Sequence, residues 1–134
     1  MEHDGRRLRV LLADDNPALL RELEQVLNKE FEIVSTVADG QALLEEYDRL
    51  HPEVVVTDIA MPLMNGFEAA QKLHQAGQPA IVFLTVHEEL AFVEEAKALG
   101  AMAYVLKRSR PRALVDAIRS AHQGRFFLCS ELLK

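Results

Sequence analysis

Cysteine is nearly missing from this 134-residue chain: Cys129 stands alone, which excludes an intramolecular disulfide and suits a reducing compartment. Positive charge is in deficit, with 15 lysines and arginines against 21 aspartates and glutamates, a formal net charge of −6. Nothing in that balance favours nucleic-acid binding by this segment itself. Long apolar runs are missing too. None approaches the ~20 residues needed to span a bilayer, and the charged start, Met1-Glu2-His3-Asp4-Gly5-Arg6-Arg7, leads into no signal-peptide core. There is no internal repeat, low-complexity tract or sign of a second domain. His3, His51, His74 and His122 show no ligand spacing, so no zinc site is expected. These absences describe one cytoplasmic domain, long enough to bury a real core.

What is present is a regular alternation of strand and helix patterns. Leu8–Ala13, Val54–Asp58, Ala80–Thr85 and Ala103–Leu106 read as strands, the first, third and fourth of the chain nearly continuous apolar runs. Phe31, Ile33 and Val37 alternate with polar residues, which places the second strand at an edge. Asn16-Pro17 caps and opens a helix to about Lys29, and Asp39-Gly40 opens one that Pro52 stops. Further helices are predicted from about Gly66 to Gln75, from about Glu89 to Leu99, and from Ser109-Arg110-Pro111 to Gly124. Five βα units give an α/β fold: a five-stranded parallel sheet in the order 2-1-3-4-5, doubly wound and flavodoxin-like, with helices on both faces.

The strand ends carry the chemistry. The first run ends in Asp14-Asp15, the third in Asp58, the fourth in Thr85, and the fifth in Lys107. In an open parallel sheet all carboxyl ends lie along one edge, where ligands bind, so three carboxylates, a hydroxyl and an ammonium converge. Three adjacent carboxylates need a proton or a cation to neutralise them, and a hard oxygen-seeking ion such as Mg²⁺ suits them. Capping of the first loop is the plainer role for Asp14-Asp15 alone. Asp58 at the end of another strand favours the metal. A carboxylate can also act as a nucleophile on phosphorus, and phosphoryl transfer needs positioning and charge neutralisation more than acid–base help. Thr85 and Lys107 are the groups for two phosphoryl oxygens.

On Asp14-Asp15, on Asp58 followed by Met61-Pro62 and Gly66, on Thr85, and on Lys107, the chain resembles a response-regulator receiver domain, the phosphoacceptor half of two-component signalling. The resemblance covers about residues 8–124, with 1–7 as a flexible N-terminal tail and 125–134 as a C-terminal tail or the start of a linker. It implies that Asp58 accepts a phosphoryl group from a sensor histidine kinase. It further implies that Asp15, Asp58 and the backbone carbonyl of Ala60 hold Mg²⁺, with Asp14 contacting the ion mainly through water. Thr85 and Lys107 would contact the phosphate, and Thr85 with Tyr104 would form the switch to an output face. Tyr104 has a second reading, a strand aromatic with its hydroxyl at the surface.

Two departures from the family pattern stand out. Lys107 is usually followed by a cis-linked proline, but here Arg108-Ser109 follows; a cis bond before a non-proline residue costs about 2.5–4 kcal/mol, and the isomer stays open. Val86 replaces a smaller residue after Thr85, and its bulk is expected to narrow access to Asp58. His87 lies near enough to order or exclude the water that hydrolyses the acyl phosphate, although a solvated loop histidine is its plainer reading. The end of the chain, His122-Gln123-Gly124-Arg125-Phe126-Phe127, resembles the approach to a helix-turn-helix output domain of NarL/FixJ-like transcription regulators. We read the chain as a receiver excised from such a regulator, acting on DNA only through that missing domain and pairing as a homodimer on phosphorylation. A stand-alone receiver, or a module that never takes phosphate, is the alternative. A turnover phosphatase is disfavoured because Ala60 stands two residues after Asp58, where such enzymes carry an acid/base aspartate. A flavin site is disfavoured by the acidic first loop.

Overall fold

A computed structural model describes residues 6–132. In chain order the elements are β1 (Arg9–Ala13), α1 (Pro17–Leu27), β2 (Glu32–Val37), α2 (Gly40–Leu50), β3 (Val54–Thr57), α3 (Gly66–Ala76), β4 (Ala80–Thr85), α4 (Leu90–Ala98), β5 (Ala103–Leu106), α5 (Pro111–His122), β6 (Phe127–Leu128) and a 3₁₀ turn at Ser130–Leu132. The sheet is parallel throughout, in the order β2-β1-β3-β4-β5-β6. The order 2-1-3-4-5 is as expected. The count of five strands is corrected to six, because the segment after Gly124 returns to the sheet and pairs with β5.

The strand interiors explain the layering. Every residue of β3 and β5 is buried, as continuous apolar runs between two helical layers require, whereas the alternating β2 is only half-buried at its edge. Helices α1 and α5 line a shared apolar cleft on one face. On the other face Phe67 of α3 meets Phe83 of β4 and Phe92 of α4, edge to face. Asn16 caps α1 by accepting from Ala18 and Leu19 N–H, and Asp39 caps α2 at Ala42. Asn65 and Glu68 form a reciprocal capping box on α3.

The N-terminal tail expected over 1–7 lies mostly outside the described residues, as does the end of the C-terminal segment, 133–134. Arg6, inside them, pairs with Glu53 at 3.1 Å, and Leu8 is buried. All peptide bonds between described residues are trans, including Lys107–Arg108.

Candidate functional site

Because every strand is parallel, the residues just past β1, β3 and β5 and the last residue of β4 share one edge. Backbone bonds fix their heights: the N–H of Asp14 donates to Val37 at 3.0 Å, that of Asp58 to Ala13 at 3.0 Å, and that of Lys107 to Thr85 at 2.8 Å. Below Asp58, the buried Thr57 hydroxyl donates to the Asp58 carbonyl at 2.9 Å. Gly66 brings α3 directly against this carbonyl. A Cβ at Gly66 would lie 2.0 Å from the Asp58 oxygen, so no side chain is tolerated there. The connecting loop, including Leu63 in the left-handed region at φ 68°, closes on α2 through Gly40 N–H to the Met64 carbonyl.

At the edge itself, Lys107 lies between two carboxylates. Its Nζ is 2.8 Å from Asp14 Oδ2 and 2.8 Å from Asp58 Oδ2. Asp58 Oδ1 accepts from the Ile59 N–H at 2.7 Å, so both oxygens of the proposed nucleophile are occupied. Asp14 Oδ1 accepts from Asn16 N–H. Its other oxygen, Oδ2, is buried and faces the Lys107 ammonium at 2.8 Å. Burial raises the Asp14 pKa, against the opposing hydrogen bonds from Lys107 and Asn16. Burial pulls the Lys107 ammonium down, but hydrogen bonds to Asp14 and then Asp58 outweigh it and leave the pKa raised.

The acidic cluster fits a divalent cation. Asp14, Asp15 and Asp58 each offer an oxygen within 4.8 Å of the others. With all three ionised, three carboxylates and one ammonium leave a formal charge of −2, which a hydrated divalent ion held by these oxygens would neutralise. Asp15 is exposed, and it borders a groove shared with Ile59, Ala60, Met61, Asn65, His87 and Phe92.

The remaining predicted residues surround the loop after β4. Thr85 is fully buried, and its Oγ1 accepts from His87 N–H at 3.2 Å. Tyr104 is also fully buried, and its hydroxyl donates to the His87 carbonyl at 2.9 Å. Burial pushes the phenol pKa above the ordinary tyrosine range. The surface-hydroxyl reading of Tyr104 is thereby corrected: the ring points in because β5 is covered on both faces. The His87 ring stacks at a tilt on Phe92, 4.5 Å between centroids. Val86 is 66% exposed and is not among the residues bordering the groove.

Residues 10–119 match the sequence pattern of the response regulator receiver domain family. The chain belongs to that family. This receiver domain is 33% identical over 121 residues to the uncharacterized transcriptional regulatory protein YxjL of Bacillus subtilis, an alignment covering 88% of this chain and 56% of that one. It is 35% identical over 114 residues to the transcriptional regulatory protein PdtaR of Mycobacterium tuberculosis, covering 84% and 56%. The crystal structure of a two-component response regulator of the LuxR family from Aurantimonas sp. SI85-9A1 superposes with a TM-score of 0.90 at 29% identity, covering 95% of this chain and 93% of the other. The receiver domain spans little more than half the length of these curated relatives. It is the receiver domain of a two-component response regulator.

Sequence reasoning missed the supporting residues. Thr57 and the ties of Arg108 to Glu88 and Ser109 to Glu131 carry no local pattern, since the two ties join residues 20 and 22 positions apart.

Proposed function

We propose that Asp58 is the phosphoacceptor of this receiver domain. The supporting observation is the shared Lys107 ammonium, 2.8 Å from an oxygen of Asp58 and of Asp14, at the edge where Thr85 ends β4. An Asp58 oxygen attacks the phosphorus of a phosphohistidine on a sensor histidine kinase; the O–P bond forms, the P–N bond breaks, and the imidazole leaves as a neutral ring after taking up a proton. As the phosphoryl group arrives, Lys107 transfers its contact from Asp58 Oδ2 to a phosphoryl oxygen, and the Thr85 hydroxyl takes another. Asp15, Asp58 and the Ala60 carbonyl would hold Mg²⁺, with Asp14 reaching it through water; the ion supplies positive charge against the phosphoryl oxygens.

Thr85 and Tyr104 hold the same residue, one at the His87 N–H and the other at its carbonyl. Drawing Thr85 toward the phosphate loosens the first of these and shifts the loop that Tyr104 holds from beneath, a local charge event acting on a packed element. His87, which borders the groove beside Asp15, tunes loss of the phosphoryl group. Resemblance to transcriptional regulators supports a cytoplasmic protein that controls transcription through a helix-turn-helix domain outside this sequence, with phosphorylation favouring a homodimer. Among the described residues no helix is long and apolar enough to cross a membrane.

Intact-protein mass after incubation with acetyl phosphate tests the reading. A Mg²⁺-dependent gain of one phosphoryl group, lost in Asp58→Asn, is expected. No gain from either acetyl phosphate or a phosphorylated kinase would refute it.

A further inference from the structure

The four residues between β5 and α5, 107–110, begin with the lysine that bridges the acidic pair, yet little local structure holds them. Neither Arg108 nor Ser109 has a ring-fixed φ, and α5 opens at Arg110 without a side-chain cap. From this loop Lys107 N–H donates to the Thr85 carbonyl at 2.8 Å, and Ser109 N–H donates to the Leu106 carbonyl at 2.9 Å. A lysine side chain that must stay in one rotamer sacrifices considerable conformational entropy, so a firm base for it matters.

Two side-chain ties supply that base. Arg108 donates to both oxygens of Glu88, at 3.0 and 3.3 Å, joining the loop to the one that carries His87. Ser109 Oγ donates to Glu131 Oε1 at 2.9 Å, joining it to the C-terminal turn. The two differ in weight. Both Arg108 and Glu88 side chains are 55% exposed, and such a pair contributes little. The Ser109–Glu131 bond is partly buried, and its acceptor stands on an anchored element. Phe127 and Leu128 pair in register with Ala103 and Tyr104, Cys129 N–H donates to the Tyr104 carbonyl, and Cys129 is fully buried. The Glu131 carboxyl is held below its usual range, first by its own backbone N–H and then by Ser109.

We propose that Ser109 is a positioning residue for Lys107, anchored by Glu131, so that the C-terminal turn at Ser130–Leu132 is part of the support of the phosphoacceptor site. Arg108 with Glu88 is the weaker second tie. The proposal rests on the reading of Lys107 as the phosphate contact. It carries a reciprocal consequence: if the turn orders Lys107, engagement of Lys107 by a phosphoryl group orders the turn by the same factor. The segment leaving the domain then senses the site without passing through Tyr104.

The test uses the full chain with acetyl phosphate and Mg²⁺, comparing wild type with Ser109→Ala, Glu131→Ala, the double variant, and Ser109→Thr, which keeps the hydroxyl. Ser109→Ala and Glu131→Ala should each lower the saturating phosphorylation rate by about three- to tenfold, the effect of losing one hydrogen bond of ordinary net strength. The half-saturating acetyl phosphate concentration should stay unchanged, since Lys107 acts on the transferring group. The double variant should be no slower than either single one, and Ser109→Thr should regain most of the rate. Amide exchange at Lys107 and Ser109 should rise in both alanine variants. Wild-type rates in Ser109→Ala, or additive losses in the double variant, would overturn the proposal. If wild type itself takes up no phosphoryl group, the phosphoacceptor reading fails separately and amide exchange alone decides: raised exchange in Ser109→Ala supports the support role, unchanged exchange refutes it.

Discussion

Replacing Lys107 by alanine removes the one ammonium between two buried carboxylates. Opposite unit charges 2.8 Å apart attract by about 6 kcal/mol at an effective dielectric constant of about 20, and Lys107 makes two such contacts. Desolvation of the three groups cancels much of that gain. What the truncation leaves behind is two carboxylates facing each other, Asp14 and Asp58 only 2% and 6% exposed. Removing one partner of a buried pair costs about 3–5 kcal/mol, and because one-fifth of the Lys107 side chain meets solvent the lower end applies, about 3 kcal/mol. For a chain of this length that is a fall of about 10 °C in Tm. Urea unfolding of metal-free protein at pH 7 measures it. The loss should shrink toward pH 4. Asp14, already raised by burial, rises further without Lys107; a raised folded pKa gives stability that is present below the unfolded pKa and lost as pH climbs through the folded one. The wild-type Lys107 contribution has the same sense for a cation. It is present below the lysine's unfolded pKa and lost as pH rises through the raised folded one, so wild type alone should weaken in the alkaline limb. Mg²⁺ should restore more stability to the variant than to wild type. A loss below about 1 kcal/mol, or equal stabilisation of both proteins by Mg²⁺, would refute the reasoning that Lys107 neutralises the pair.

Asp14→Asn should be more stable than wild type in metal-free urea unfolding, because the Asp14 environment disfavours its charge; Mg²⁺ titration should show an affinity about 10–100-fold lower, as for loss of a residue that holds an ion's ligands in place. Gly66→Ala should cost about 3 kcal/mol or more in the same assay, since the new Cβ meets the Asp58 backbone and neither side can yield cheaply. Tyr104→Phe should cost about 1 kcal/mol by leaving the His87 carbonyl without its donor, with faster amide exchange confined to the loop after β4.

The strand ends were legible because the information is local: an apolar run followed by a carboxylate, hydroxyl or ammonium needs only the parallel topology to become a site. The helix starts at Asn16-Pro17 and Pro111 and the edge position of β2 followed from capping and alternation in the same way. What escaped depends on distant partners. Strand β6 is two residues long, too short for a period, and exists because β5 offers an open edge and Cys129 a place in the core. The Tyr104 hydroxyl finds its acceptor in the His87 carbonyl, 17 residues away, so its burial could not be read from its own strand. Val86 shows the opposite limit. Its bulk was legible, but not that the backbone turns it mostly toward solvent.

Cys129 has a practical meaning beyond packing. Its sulfur is sealed while Phe127 and Leu128 lie along β5, and it is the only thiol in the sequence. A maleimide or similar reagent can therefore reach it only when the last strand peels away, so the rate of alkylation reports the opening free energy of that one element. The molecule carries its own clock for the departure of its C-terminal strand, readable without any label being introduced.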